Sequence, residues 1–186
     1  IIKLNKIEEL NTDLIKYINR LSDCIYIFAR YFEERYLINL IKEKVLKKVN
    51  GMKNKLNIEL AKKMAELAEK KSKEIKVPIV FSVVDDGGNL MLLHKIEGTL
   101  LASTDISINK AYTANALKIP THELYELAQP GKPLYGIEAT NQGKIVLFGG
   151  GYPLKADGKI IGAIGISGGS VEEDMEIAEY VIDKIK

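Results

Sequence analysis

From Leu10 onward the apolar positions fall at Leu14, Tyr17, Ile18, Leu21, Ile25, Phe28, Ala29, Phe32 and Tyr36. Steps of one, three and four are the spacing of a helix that keeps one face apolar. The pattern predicts a helix over 8–48, about 60 Å long at the α-helical rise. Ile15, Tyr26, Ile27 and Tyr31 add apolar surface off that stripe. A helix with so wide an apolar face needs partners on more than one side. No glycine or proline occurs before Asn50-Gly51, so a boundary with a short linker is expected at 51–55.

Beyond it the texture changes. Leu60, Ala61, Met64, Leu67, Ala68 and Ile75 mark an amphipathic helix that ends before Pro78. Ile79 to Val84 is a β-branched strand, Asp85-Asp86-Gly87-Gly88-Asn89 a turn, and Leu90 to His94 the return strand. An alanine-rich helix is expected over 102–118, stopped by Pro120, with Thr121 capping a short helix through Leu127. After a Pro/Gly loop at 130–136, strands are expected at 144–148, 152–156 and 159–167, the last two joined by Asp157-Gly158. Ser170-Val171-Glu172-Glu173 is a capping box opening a helix with the stripe Val171, Met175, Ala178, Ile182, Ile185. Tight hairpins make this an α+β fold: helices on a five-stranded, mainly antiparallel sheet over 56–186, preceded by a long helix in 1–50.

Composition narrows the function classes. With 46% apolar and 28% charged residues the chain is globular, and no run approaches a membrane span. A single cysteine, Cys24, rules out an internal disulfide framework, and with two histidines it leaves no zinc cluster. A net charge of +2 does not call for nucleic acid. It is unevenly spread: residues 1–55 hold 12 basic and 7 acidic side chains, and the remainder 15 and 18. A cytoplasmic protein is expected. Because the chain opens on Ile1-Ile2, it is also expected to be a piece of a longer protein.

Most catalytic motifs are absent. There is no phosphate-loop pattern and no G-x-G-x-x-G. Ser167 reads as structural, and Asp85-Asp86 as turn acids. Three constellations remain. Gly168-Gly169-Ser170 leads a strand into a capped helix, where amides could hold an anion or Ser170 could cap its own helix. Gly149-Gly150-Gly151 lies between Phe148 and Tyr152 and suits either a ligand floor or a bulged turn. His94 ends a strand and His122 begins a short helix; each could be an axial haem ligand or plain polar surface.

These residues carry a resemblance. Val77-Pro78 through Asp85-x-Gly87-Gly88, Ser103-x-Asp105-Ile106 and Lys110-Ala111-x-Thr113-Ala114 resemble the GlcG/HbpS family. So do Gln129-Pro130-Gly131, Leu134-Tyr135-Gly136, Leu147 to Gly151 with Pro153-Leu154, and Gly162 to Glu172 with Asp174. The similarity spans nearly all of 56–186 and includes the C-terminal domains of PduO proteins of propanediol and B12 metabolism. Tyr17 to Asp23 followed by Ile27 to Tyr31 resembles the last helix of PduO-type ATP:cob(I)alamin adenosyltransferases.

The resemblance implies a profilin-like α/β/α arrangement, a homo-oligomer, and binding of haem or a corrinoid such as cobalamin, with association to a bacterial microcompartment. It adds Lys110 to the candidate binding residues, and puts Asn19 and Arg20 near the nucleotide site of the transferase domain. The remainder of that ATP-binding segment is not in this sequence, so the 186 residues are expected to be non-catalytic by themselves. In one respect the chain departs from the family: members that bind haem can use a histidine on the first helix of this domain. Here 56–76 has none, and Lys70-Lys71-Ser72-Lys73 stands there instead. Of the remaining donors His122 is preferred, because it opens a helix and can face outward. His94 is expected to share a strand face with Leu90 and Leu92. Tyr112, Tyr125 and Tyr135 are the alternative donors.

Overall fold

The computed structural model of the chain describes residues 12–53 and 56–185, and for 46–53 the backbone only. Leu10 and part of the expected 51–55 linker lie outside the described residues. The chain divides into two units, Ile1–Lys53 and Asn54–Lys186.

In the first unit, α1 runs unbroken from Thr12 to Lys53. It passes through Asn50-Gly51, where a turn was expected, since one glycine costs a helix only about 1 kcal/mol and does not end it. Its apolar residues face out on several sides: Tyr17, Ile25, Tyr26, Phe28, Phe32 and Tyr36 are all more than half exposed.

The second unit holds α2 (Ile58–Ile75), β1 (Val80–Asp85), β2 (Leu90–Lys95), α3 (Ser103–Leu117), α4 (Thr121–Leu127), β3 (Gly151–Ala156), β4 (Lys159–Ser167) and α5 (Val171–Ile185). The strands form one antiparallel sheet in the order β2-β1-β4-β3. Among the described residues the sheet has four strands, not five. Residues 144–148 are buried at Ile145 and Val146, yet they pair with no strand. Thr113 Oγ1 on α3 takes the Val146 N–H at 3.0 Å and donates to the Lys144 carbonyl at 3.1 Å, so a side chain replaces a ladder partner.

Alternation along the strands sorts the core into two layers. Phe81, Val83, Ile164, Ile166, Tyr152 and Leu154 pack under α2 and α5. On the other face Val84 and Ala163 meet Ala111 and Ala114 of α3. Here Ser82, Gly165 and Gly151 stand in register across three strands. A Cβ on Gly165 would strike the Ser107 carbonyl and the Ala111 amide, and one on Gly151 the Lys110 carbonyl. A row of one serine and two glycines thus lets the α3 backbone rest directly on the sheet.

Three local expectations change. On α5, Ala178 is buried and Met175, Ile182 and Ile185 pack against the core as expected, joined by buried Asp174, Ile177 and Val181, whereas Val171 is exposed. Thr121 does not cap α4; it lies inside the helix and its Oγ1 accepts the Gly151 N–H at 3.0 Å. A register shift between Val83 and Val84 sets Leu90 opposite Val84, on the α3 face, so Leu90 and His94 point to opposite sides.

Candidate functional site

Lys110 projects from α3 past the glycine row and is fully buried, which lysine tolerates only when paired. Its Nζ donates to Asp174 Oδ2 at 2.6 Å and to the Ile166 carbonyl at 2.8 Å. Asp174 Oδ1 accepts the Gly169 N–H at 3.0 Å, and the Phe148 ring covers the ammonium with its centroid 4.9 Å from Nζ. Burial pushes the lysine down and the carboxyl up, each opposed by the other's charge. A Cβ on Gly150 would fall 2.8 Å from Nζ, and one on Gly149 would overlap Met175. The triglycine is therefore filled from within by Lys110, Met175 and α3. Asp174 entered the sequence reading through the family resemblance but not as a candidate binding residue, although an acid on the apolar stripe of α5 is a signal that it has a buried partner.

The start of α5 is also internally satisfied. Ser170 Oγ accepts the Glu173 N–H at 3.2 Å, and Glu173 Oε2 accepts the Ser170 N–H at 2.7 Å. With Gly169 bonded to Asp174, the amides that could have cradled an anion serve the protein's own carboxylates. Gly168 packs against the Pro78-Ile79 backbone.

The two histidines lie at opposite edges of the sheet. His94 is on β2 across from Phe81, and its Nε2 sits 2.9 Å from Glu69 Oε2. A hydrogen bond from Lys73, followed by His94, holds Glu69 below the usual carboxylate range. His122 on α4 lies against Tyr152 of β3, ring centroids 5.6 Å apart. Tyr152 is in turn fixed by donating its hydroxyl to Glu179 Oε1 at 2.7 Å, and burial pushes that hydroxyl far above its ordinary pKa. Three strand spacings, about 14 Å, separate β2 from β3. One iron cannot take both rings from a single chain.

The chemistry of the donors separates them further. The Nε2 of His94 is already engaged by Glu69. In His122 it is Nδ1 that is buried, and it has no hydrogen-bond partner. A neutral imidazole carries one proton, so without an acceptor at Nδ1 that proton belongs on Nε2. Holding a metal through Nε2 would require the proton at Nδ1, where no carbonyl or carboxylate is placed to receive it. His122, its ring held against Tyr152, would be the residue to hold a haem iron, at a tautomer cost. Asn115 Oδ1 is the other buried polar atom without a partner among the described residues. Tyr112 is tied by Asn141 to its hydroxyl at 3.0 Å; Tyr125 and Tyr135 are exposed. Asn19 and Arg20 are exposed on α1, in the other unit. Among the described residues no three of His, Cys, Asp and Glu are grouped to hold a metal ion.

Residues 56–183 match the family model described as haem degrading protein HbpS-like. The chain belongs to the HbpS-like family. It is 52% identical over 128 residues to a 15.0 kDa protein in the dhaT-dhaS intergenic region of Citrobacter freundii, covering 69% of this chain and 90% of that one. The corrinoid adenosyltransferase PduO of Salmonella typhimurium is 41% identical over 182 residues, covering 92% of this chain. The chain spans 54% of that relative's length. Among solved structures, the PduOC:heme complex superposes with a TM-score of 0.68 at 43% identity, over 69% of this chain and 94% of that one.

Proposed function

We propose that the HbpS-like domain, residues 56–186, binds a flat tetrapyrrole, haem before cobalamin, as an accessory domain of a PduO-type protein. The observation that carries this reading is the likeness to the PduOC:heme complex, in which 94% of the compared chain is matched at 43% identity. A bound haem supplies a one-electron centre whose potential follows its axial ligand. His122 is the proposed donor, since Tyr152 and Glu179 fix its ring and Nε2 is not engaged by a carboxylate. Lys110 and the glycines of 149–151 and 168–169 support the fold around that ligand and do not touch it. An absorbance titration with haem and with cobalamin tests the proposal. The expected result is a saturable Soret band with haem, shifted in His122→Ala and unchanged in His94→Ala. No saturable change with either ligand would overturn it.

The long helix belongs to the same reading. Because 92% of the chain aligns with PduO, the similarity extends past the HbpS-like domain into α1. We assign 1–50 to the end of an adenosyltransferase domain, with Asn19 and Arg20 on its nucleotide side, in a cytoplasmic protein that associates with a microcompartment. Among the described residues no helix is long and apolar enough to cross a membrane. Burying apolar surface contributes about 25 cal/mol per Å², so α1 with apolar residues on several sides is expected to associate with other copies. Light scattering at micromolar concentration should give a dimer or larger, and a 20.7 kDa particle would contradict it.

A further inference from the structure

The two histidines of the chain differ in what stands behind the ring. Behind His94 is a carboxylate, Glu69, which Lys73 helps to keep ionised. Behind His122 there is nothing that can take a proton. Its Nδ1 is buried without a hydrogen-bond partner, whereas Nε2 is open to the surface. The polar groups packed around the ring are already committed. Tyr152 donates its hydroxyl to Glu179, and Thr121 Oγ1 accepts the Gly151 N–H. Glu123, next in sequence, is exposed and makes no bond to that nitrogen.

An axial histidine that donates its second N–H to a carboxylate or carbonyl becomes more basic and grips its metal harder. Iron on Nε2 of His122 would leave the Nδ1 proton on a buried nitrogen with no acceptor. A stranded buried donor carries the full cost of its lost hydration. That cost falls on the bound state alone, because in the free chain the proton sits on Nε2 and meets water. We propose, on the reading that haem binds at His122, that the domain holds haem as cargo and passes it to a second protein. The recipient it implies is a haem apoprotein whose own axial histidine is backed by an acceptor. Release is a ligand exchange in which the Fe–Nε2 bond breaks. The Nδ1 proton goes to solvent, another returns to Nε2, and no electron is transferred.

The test uses the full chain loaded with ferric haem and mixed with an excess of apomyoglobin, whose growing Soret band times the release. Release from the wild-type chain should be less than about tenfold slower than from His122→Ala, tenfold being the retention that about 1.4 kcal/mol confers. A second reading needs no variant: in the ferrous wild-type chain the iron–histidine stretching band, seen by resonance Raman, should lie below that of deoxymyoglobin. Wild-type release more than about tenfold slower, a His122→Ala chain that takes up no haem, or a stretching band at or above that of deoxymyoglobin overturns the proposal and leaves haem binding standing. A wild-type chain with no saturable Soret band overturns haem binding itself, and the proposal with it.

Discussion

Lys110→Met is expected to lower the unfolding free energy by about 3–5 kcal/mol, the cost of stranding a buried charge. Asp174 is 3% exposed, and without Lys110 it keeps only the Gly169 N–H. Water cannot reach it to compensate, and the Ile166 carbonyl loses the same donor. The loss comes from the unpaired carboxylate more than from the pair itself, since two ions taken from water gain little net energy by meeting. Lys110→Met/Asp174→Leu should therefore recover more than half of the deficit, because no charge remains to be solvated. Urea denaturation followed by far-ultraviolet circular dichroism compares the three chains. A single-variant cost below about 1 kcal/mol, as for an exposed ion pair, would mean that the site opens to water.

Gly165→Val should be more damaging still. The added Cβ would sit 2.6 Å from the Ala111 amide and closer yet to the Ser107 carbonyl, and both are backbone atoms that no rotamer change can move. Accommodating it means lifting α3 off the sheet, which costs more than the roughly 1–3 kcal/mol of ordinary overpacking. The expected outcome is loss of soluble, cooperatively folding protein. Gly158→Ala is the control: nothing lies within 4 Å of its Cβ position, but φ is +73°. Its cost should stay near the roughly 1–2 kcal/mol of a left-handed backbone. Solubility and thermal melting of the two variants distinguish them, and a well-folded Gly165→Val chain would refute the close seating of α3.

Local chemistry made most elements readable. Ser170 and Glu173 announce the start of α5, and Asp157-Gly158 takes the two positive φ values, +50° and +73°, that a tight hairpin requires. Residues 144–148 misled because Ile145 and Val146 are as apolar as a strand. What displaced the ladder was one threonine hydroxyl more than 30 residues away, and periodicity carries no trace of it. The same limit hid the β2 bulge, which sends Leu90 to the other face of the sheet, and the partner of Lys110, which lies 64 residues along the chain. The motifs around Lys110 and the glycines pointed to residues that the fold packs together. They mark where α3, β4 and α5 meet, and the space a ligand might have filled is taken by Lys110 and Met175. For the histidines, sequence could name both candidates. That Glu69 engages one ring and Tyr152 orients the other depends on which helix covers which edge.

The bare row Ser82, Gly165 and Gly151 has a mechanical consequence for α3. Helices usually lock in place because their side chains drop between those of the surface below. A floor of glycine and serine offers α3 closeness but few teeth, so it resists tilting far better than sliding along its own axis. Lys110, bonded at once to the end of β4 and to the first turn of α5, is the axial stop. Through it, one ammonium group sets how far α3 extends towards the β1–β2 hairpin, where Asn115 reaches the Asp86 carbonyl.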